Sequence, residues 1–174
     1  DIAIISEAIE ATICAYDVTE QAIYQPSLYD ETRSISLVTR IIALADIASL
    51  GIEGVEFYNR EGSLLFLEEN TDIIPIVQTQ EIEKLAVEKP DLYENLRQRL
   101  LRRTGFQVNF AKSRLNRLSR ELVGFPEAAI PLLTRQVFQY LTPETVQDVI
   151  EKAPTDAETT LEQLIQFFGF EFLI

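Results

Sequence analysis

The sequence predicts an all-α protein. Apolar residues recur at helical spacing along nearly the whole chain, and only residues 22–24 resemble a strand. Residues that cap helices stand where the periodic segments begin, as Thr142 and Thr160 do. A chain of 174 residues forms one domain by default. At this length it buries roughly 70% of its unfolded surface, which is enough for an apolar core.

Two helices are predicted before residue 51. The first helix places five apolar side chains on one face, namely Ile2, Ile5, Ile9, Ile13 and Tyr16. Turn residues dominate positions 17–32, apart from the strand-like piece. The second helix begins at Ser34 or Ser36 and ends at Leu50, because Gly51 follows.

Short helices are also predicted in the next part of the chain. Residues 53–69 form one or two helical pieces, because Gly54 and Gly62 favour breaks there. Thr71 then opens a short helix that carries Pro75 in its first turn.

The second half of the chain predicts helices with clearer ends. One amphipathic helix spans residues 91–123 and stops at Gly124. Pro126 starts the next helix, with a kink or a late start at Pro131. The last two helices run from Thr142-Pro143 to Lys152 and from the capping box Thr160–Gln163 to Gly169.

The composition excludes several classes of function. The chain has 28 acidic and 15 basic side chains, a net charge of −13 and an isoelectric point near 4.4. We therefore expect no binding to an anionic membrane and consider nucleic acid an improbable partner. A single Cys excludes an internal disulfide and a cysteine zinc site. The absence of His excludes histidine-dependent catalysis and metal binding by this chain acting alone.

The sequence also bears on location and completeness. No apolar run approaches the roughly 20 residues of a membrane span, and no signal peptide is visible, so we expect a cytoplasmic location. Met is absent throughout, and the chain opens at Asp1 within a helical pattern. We therefore expect a processed product or the C-terminal part of something longer.

Asp46 is the carboxylate that does not fit its surroundings. The other nine residues of positions 41–50 are apolar or small. A helix that is apolar all round belongs in a core, so we expect Asp46 to be buried, inside the core or at the wall of a cleft. A buried carboxylate needs a cation or several donors. Two interpretations follow: a structural Asp paired with an Arg or with the hydroxyls of Thr39 and Ser49, or a metal ligand or catalytic carboxylate.

Four segments resemble the later part of an HD-domain protein of the metal-dependent phosphohydrolase superfamily. They are residues 7–12 (EAIEAT), 24–26 (YQP), 37–47 (LVTRIIALADI) and 61–70 (EGSLLFLEEN). In that superfamily, a helix of the third kind carries the final Asp of a His…His-Asp…Asp metal set, usually after a small residue. Asp46 follows Ala45 and takes that place.

The resemblance implies an HD-like helical region over residues 1–77 and a C-terminal α-helical extension over residues 78–174. It implies Asp46 as a metal ligand, and a divalent metal ion as cofactor if the N-terminal part is present. The implied reaction is attack of metal-activated water on a phosphate ester or a nucleotide phosphate. The His and the adjacent His-Asp pair of the motif are absent, so this chain alone lacks the ligands for activity.

Basic residues concentrate in the predicted long helix. Eight of the 15 fall between Arg97 and Arg120, and no acidic residue interrupts them. On a straight helix, six of them share a sector with Phe106 and Phe110, and these six are Arg99, Arg102, Arg103, Arg114, Arg117 and Arg120. A break at Gly105 would scramble this sector.

The arginine sector has two interpretations. It is a surface for an anion or a protein partner, which includes a second copy of the chain. Alternatively it is a solvated face whose arginines pair with acids elsewhere in the chain. The acids considered are Glu68, Glu69, Glu81, Glu83 and Glu88.

Other candidates carry weaker signals. Cys14 is expected to be a small buried residue, with a redox role as the alternative. Glu68, Glu69 and Asp72 predict either favourable charges at a helix start or a cation site.

Two further hypotheses accompany the phosphohydrolase. One is a non-catalytic regulatory or scaffold protein that binds a partner through the Arg-rich helix and the apolar residues 167–172. The other is a protein that binds an anionic ligand or a short single strand of nucleic acid.

Overall fold

The helices predicted from the sequence form in the computed structural model, which describes residues 2–30, 32, 34–79 and 82–170. The fold is all-α, as predicted, with one small two-stranded sheet in the described ranges. The elements of the first half are α1 (Ile2–Ala11), β1 (Ala15–Asp17), β2 (Ala22–Tyr24), α2 (Leu37–Asp46) and α3 (Ser49–Glu69).

The prediction that Tyr16 lies on the first helix is wrong. That helix ends at Ala11, and β1 pairs antiparallel with β2, so that Tyr16 lies opposite Ile23. The Asp17 side chain makes the turn between the strands, because its Oδ1 accepts the backbone N–H groups of Thr19 and Glu20.

Helix α2 is shorter than predicted, and α3 contains a kink. Ser36 caps α2, which ends at Asp46 rather than at Leu50. Gly54 interrupts α3 with a φ of +81°, as predicted. Gly62 has helical backbone angles, so the predicted break there is wrong. Its lack of a side chain leaves room for the side chain of Gln107.

In the second half, the helices predicted for residues 91–123, 142–152 and 160–169 form close to the predicted bounds. The helix predicted from Pro126 begins instead as a 3₁₀ turn, Glu127–Ala129, and the helix at Ile82–Glu88 was not predicted. The helices of this half are α4 (Ile74–Thr79), α5 (Ile82–Glu88), α6 (Pro90–Glu121), α7 (Ile130–Leu132), α8 (Pro143–Lys152) and α9 (Leu161–Phe167). Helix α6 is continuous through Gly105. A π-helical turn, Leu133–Val137, follows α7. The capping box of α9 is present at Thr160 and Gln163.

Two apolar cores share helix α6. The first core joins α2 and α3 to the C-terminal part of α6 and to α8, through residues such as Leu44, Leu50, Tyr58, Val108, Phe138 and Val146. The second core joins the end of α3 to the N-terminal part of α6 and to α9, through residues such as Phe66, Ile73, Leu96, Leu100 and Leu164. Each core therefore contains residues of both predicted regions, the HD-like region over residues 1–77 and the extension over residues 78–174.

A buried polar layer lies on α6 between the cores. Thr104 and Gln107 are both buried. The Thr104 hydroxyl donates to the carbonyl of Leu100, and the Tyr58 hydroxyl donates to the carbonyl of Gln107 over 2.6 Å.

The apolar C-terminus is part of the second core. Phe168 and Phe170 are buried and stack on Phe66. Their predicted role as a partner surface is therefore wrong. Positions 171 and 172, which belong to the same hypothesis, lie outside the described residues.

Candidate functional site

Asp46 is exposed, so the prediction that it is buried is wrong. It is the last residue of α2, and that helix buries only Thr39, Ala43 and Leu44. The apolar run misleads because much of α2 is uncovered, and the exposed large residues of this helix are Leu37, Val38, Ile41 and Ile42.

A buried amide orients the Asp46 carboxylate. Gln25, which is fully buried, donates from Nε2 to Oδ2 of Asp46 over 2.9 Å. Neither expected donor bonds to Asp46 among the described residues: the Thr39 hydroxyl donates to Oε2 of Glu7 over 2.5 Å, and Ser49 forms no hydrogen bond with Asp46. Among the described residues, no arginine forms an ion pair with Asp46. The structural alternative of an Asp–Arg pair is therefore wrong.

Cys14 lies in the loop after α1 and is exposed, contrary to the prediction of a buried residue. Partial burial of the thiol and the nearby Asp46 carboxylate raise its pKa. A raised pKa keeps the thiol protonated at neutral pH and weakens it both as a nucleophile and as a metal ligand. This arrangement gives no support to the alternative redox role.

The described residues do not form a complete metal site. They contain no group of three or more His, Cys, Asp or Glu residues that could hold a metal ion. Around Asp46 they offer one carboxylate, one amide and one protonated thiol. Asp46 as a metal ligand therefore stays a prediction, and it requires ligands from outside these residues.

The cation site considered at Glu68, Glu69 and Asp72 is wrong. Both Asp72 oxygens accept from Arg99, at 2.7 and 2.9 Å, and these bonds lower the Asp72 pKa. Asp72 also lies in the first turn of a 3₁₀ helix, Thr71–Ile73.

Large apolar residues are exposed on two helices that pack together. The buried residues of helix α1 are Ala8 and Ala11, and this helix packs against α2. The predicted isoleucine face is thus exposed: Ile2 is 82% exposed, and Ile5, Ile9 and Ile13 are each about 60% exposed. Together with the exposed residues of α2, they form an apolar surface of the kind that proteins use to bind other segments or partners. We call it the α1–α2 apolar surface.

Two of the six arginines in the predicted sector are buried. Arg114 donates to the carboxylate of Glu121, which is also buried, and to the carbonyl of Ile47. The prediction of one solvated face is wrong for Arg114 and Arg117, because β1, β2 and the end of α2 cover this part of α6.

Arg117 joins α6 to the β-hairpin. It donates to Asp17 over 2.6 Å and to Glu20 over 2.9 Å, and it lies 4.4 Å from the ring centre of Tyr24. The pKa of Asp17 is lowered, first by the backbone N–H groups of the turn and then by Arg117. These contacts give Arg117 a structural role.

The outer arginines differ from one another. Arg99 binds Asp72, and Arg103 donates to the carbonyl of Gly62 over 3.1 Å. In the described ranges Arg102 and Arg120 form no ion pair, and both are exposed. Acids other than the expected ones pair with the basic helix, and these are Asp17, Glu20, Asp72, Glu94 and Glu121. The predicted partner Glu81 lies outside the described residues.

Phe106 and Phe110 do not form an open aromatic surface. Their rings stack on each other with centroids 6.2 Å apart, and Phe110 also stacks on Tyr58 within the first core. The Cζ atom of Arg103 lies over the Phe106 ring, 5.4 Å from the ring centre.

Sequence reasoning missed three residues. Gln25 gives no signal by itself, since an amide in a turn-rich stretch is ordinary. Arg40 adjoins the apolar run of α2, and its lack of an ion pair with the described residues emerges only in three dimensions. Glu121 carries a signal, because it is the first acid after the basic run and lies two helical turns from Arg114.

No helix within the described ranges is long and apolar enough to cross a bilayer. Comparison of the chain with protein-family models, curated proteins and solved structures finds no match.

Proposed function

We propose that this chain is the C-terminal helical part of an HD-like metal-dependent phosphohydrolase and that Asp46 contributes one metal ligand. The main support is an exposed carboxylate that a fully buried amide holds in place. Among the described residues, Oδ1 of Asp46 has no hydrogen-bond partner and stays available for a metal. Metal-ligating carboxylates are oriented in this way by neighbouring donors.

The α1–α2 apolar surface also supports the proposal. A segment that carries the remaining ligands must lie against α2 to reach Asp46. Such a segment would cover side chains such as Val38 and Ile42, which belong to the same helix and are exposed. Burial of this surface would supply much of the free energy of docking.

The substrate class is a phosphate ester or a nucleotide phosphate, as the resemblance implies. The described residues supply one ligand only, so the activity requires the complete protein.

The test uses protein expressed from the reading frame that encodes this chain, with whatever residues precede Asp1. Bound metal is quantified by elemental analysis, and hydrolysis of p-nitrophenyl phosphate and of nucleotides is measured with added Mn²⁺. We expect Asp46→Asn to lower metal affinity by at least about 100-fold and to abolish hydrolysis. The matched control is Asp91→Asn, which neutralises an exposed Asp in the first turn of α6. We expect the control to retain both metal and activity. Equal metal content and activity in wild type and Asp46→Asn would contradict the proposal.

A second variant tests the role of the apolar surface. Ile9→Glu places a charge within it, whereas Val87→Glu changes an equally apolar exposed site on α5. We expect Ile9→Glu to reduce metal retention in the complete protein, and Val87→Glu to have no effect. Similar behaviour of the two variants would argue against a segment docked on α1.

The alternative of a non-catalytic regulatory or scaffold protein predicts another outcome. If the complete protein holds no metal and lacks hydrolase activity, the α1–α2 apolar surface would serve a protein partner instead. Among the six arginines of the predicted sector, Arg102 and Arg120 are exposed and form no ion pair with the described residues, so they remain open to such a partner.

A further inference from the structure

Arg40 carries a positive charge that no described residue neutralises. It belongs to α2 and is half-buried. Its side chain forms no ion pair or hydrogen bond with the described part of the chain, and its Nη1 nitrogen is buried without a partner. Burial lowers the pKa of this guanidinium. An unpaired cation at such a position costs free energy, which a bound anion would recover.

The Arg40 guanidinium packs closely against Gly124. A Cβ atom at Gly124 would lie 2.9 Å from Cζ, Nε and Nη2 of Arg40, so a larger residue there would displace the guanidinium. Gly124 also has a φ of +93°, which favours glycine. This contact limits the positions open to the guanidinium in advance of any ligand, and a ligand then loses less conformational entropy on binding.

A cavity of about 490 Å³ lies beside Arg40. Arg120 also lines it, and its guanidinium rests 5.0 Å from the ring centre of Tyr29. Asp30 is the carboxylate among the described lining residues. Its Oδ1 accepts from the backbone N–H and the hydroxyl of Thr32, at 2.9 and 2.6 Å. Two cations thus face one carboxylate that is already engaged in the loop.

We propose that this cavity, which we call the Arg40–Arg120 pocket, binds the phosphate group of a small molecule. Guanidinium groups match phosphate oxygens in geometry and charge. The cavity volume lies within the range of small-molecule sites, and the net charge of −13 disfavours long polyanions. Free phosphate and a phosphate monoester share this chemistry.

The pocket is independent of the proposed metal ligand. Arg40 and Asp46 are six residues apart on α2, which places them about 120° apart around the helix axis. Phosphate binding here therefore stands whether or not Asp46 holds a metal.

The test measures phosphate binding to the present chain by NMR and by thermal unfolding. Inorganic phosphate and phenyl phosphate are titrated at constant ionic strength against sodium chloride. We expect saturable shifts of the Gly124 amide and a higher Tm with phosphate than with chloride. We expect Arg40→Gln to weaken binding by about 10-fold or more, the equivalent of one charge-assisted hydrogen bond, and Arg120→Gln to weaken it as well. The control is Arg102→Gln, which removes an exposed cation outside the pocket and should leave affinity within about twofold.

The outcomes separate the sources of the phosphate group. Tighter binding of phenyl phosphate indicates a phosphate monoester, and equal or weaker binding indicates free phosphate. Wild-type affinity in Arg40→Gln, or shifts no larger than those with chloride, would overturn the proposal. We further expect Arg40→Lys, which keeps the charge but loses the planar fork, to bind with intermediate affinity.

Discussion

Replacement of Glu121 by Leu should be among the most destabilising single changes in this protein. Glu121 is 0% exposed, and Arg114 is 3% exposed. One oxygen of Glu121 accepts from both Arg114 and the Tyr29 hydroxyl. Without the carboxylate, Arg114 keeps only the carbonyl of Ile47, and Tyr29 loses its acceptor.

The size of the expected stability loss follows from the charge of Arg114, which stays buried without its partner in Glu121→Leu. Removal of one partner of a buried ion pair costs about 3–5 kcal/mol, a large share of the roughly 5–15 kcal/mol by which a domain is stable. At about 2–4 °C per kcal/mol, the Tm should fall by about 6–20 °C. The double variant Arg114→Met, Glu121→Leu removes both charges. It should lie within about 1–2 kcal/mol of wild type, and the remaining loss comes mainly from Tyr29.

The assay is urea denaturation followed by circular dichroism for the wild type, both single variants and the double variant. We expect a coupling free energy of at least about 2 kcal/mol between the two positions. The control cycle uses Asp148 and Lys152, an exposed pair on α8 with a 2.7 Å contact, whose coupling should be too small to resolve. Additive effects at Arg114 and Glu121, or a loss below about 1 kcal/mol in Glu121→Leu, would refute the reasoning.

Four further predictions concern stability, and urea denaturation checks each of them. Gly62→Ala should destabilise by about 1–3 kcal/mol, because the new Cβ would lie 1.9 Å from Nε2 of buried Gln107. Gly105→Ala, which has open space around it, should stabilise by up to about 1 kcal/mol; the reverse order of these two variants would count against the packing described. Side-chain hydrogen bonds from Arg97 and Gln98 lower the pKa of Glu94 from 4.5 to about 2. Between these two pH values the unfolded state therefore binds more protons than the folded state. Stability should therefore fall as the pH drops from about 5 to 2, less steeply in Glu94→Gln, and an identical slope in both proteins would contradict this. Thr160→Ala removes the capping box of α9 and should cost about 0.5–2 kcal/mol, whereas an unchanged urea midpoint would show that the cap is dispensable.

Local signals predicted the helix boundaries well. Ser36, Thr142 and Thr160 cap the helices that they were expected to start. Pro90 begins α6, and the helix ends three residues before Gly124. These features depend on the residue and its near neighbours, so the sequence contains them directly.

Burial depends on contacts between distant segments, and here the sequence was less informative. The apolar run around Asp46 showed that α2 is apolar, but not that part of it would be uncovered. The charge pattern of α6 placed Arg117 in a basic sector, but its partners Asp17 and Glu20 are 100 and 97 residues away. Pairing of β1 with β2 was missed as well, because three-residue strands carry little periodicity.

The polar layer on α6 divides the protein along one continuous helix. Thr104 and Gln107 separate the part of α6 in the second core from the part in the first. We therefore expect amide hydrogen exchange to reveal two cooperative units. The amides near Leu96 and Leu100 should exchange together with α9, and those near Ala111 together with α2. Half of a single helix could then open while the other half stays protected.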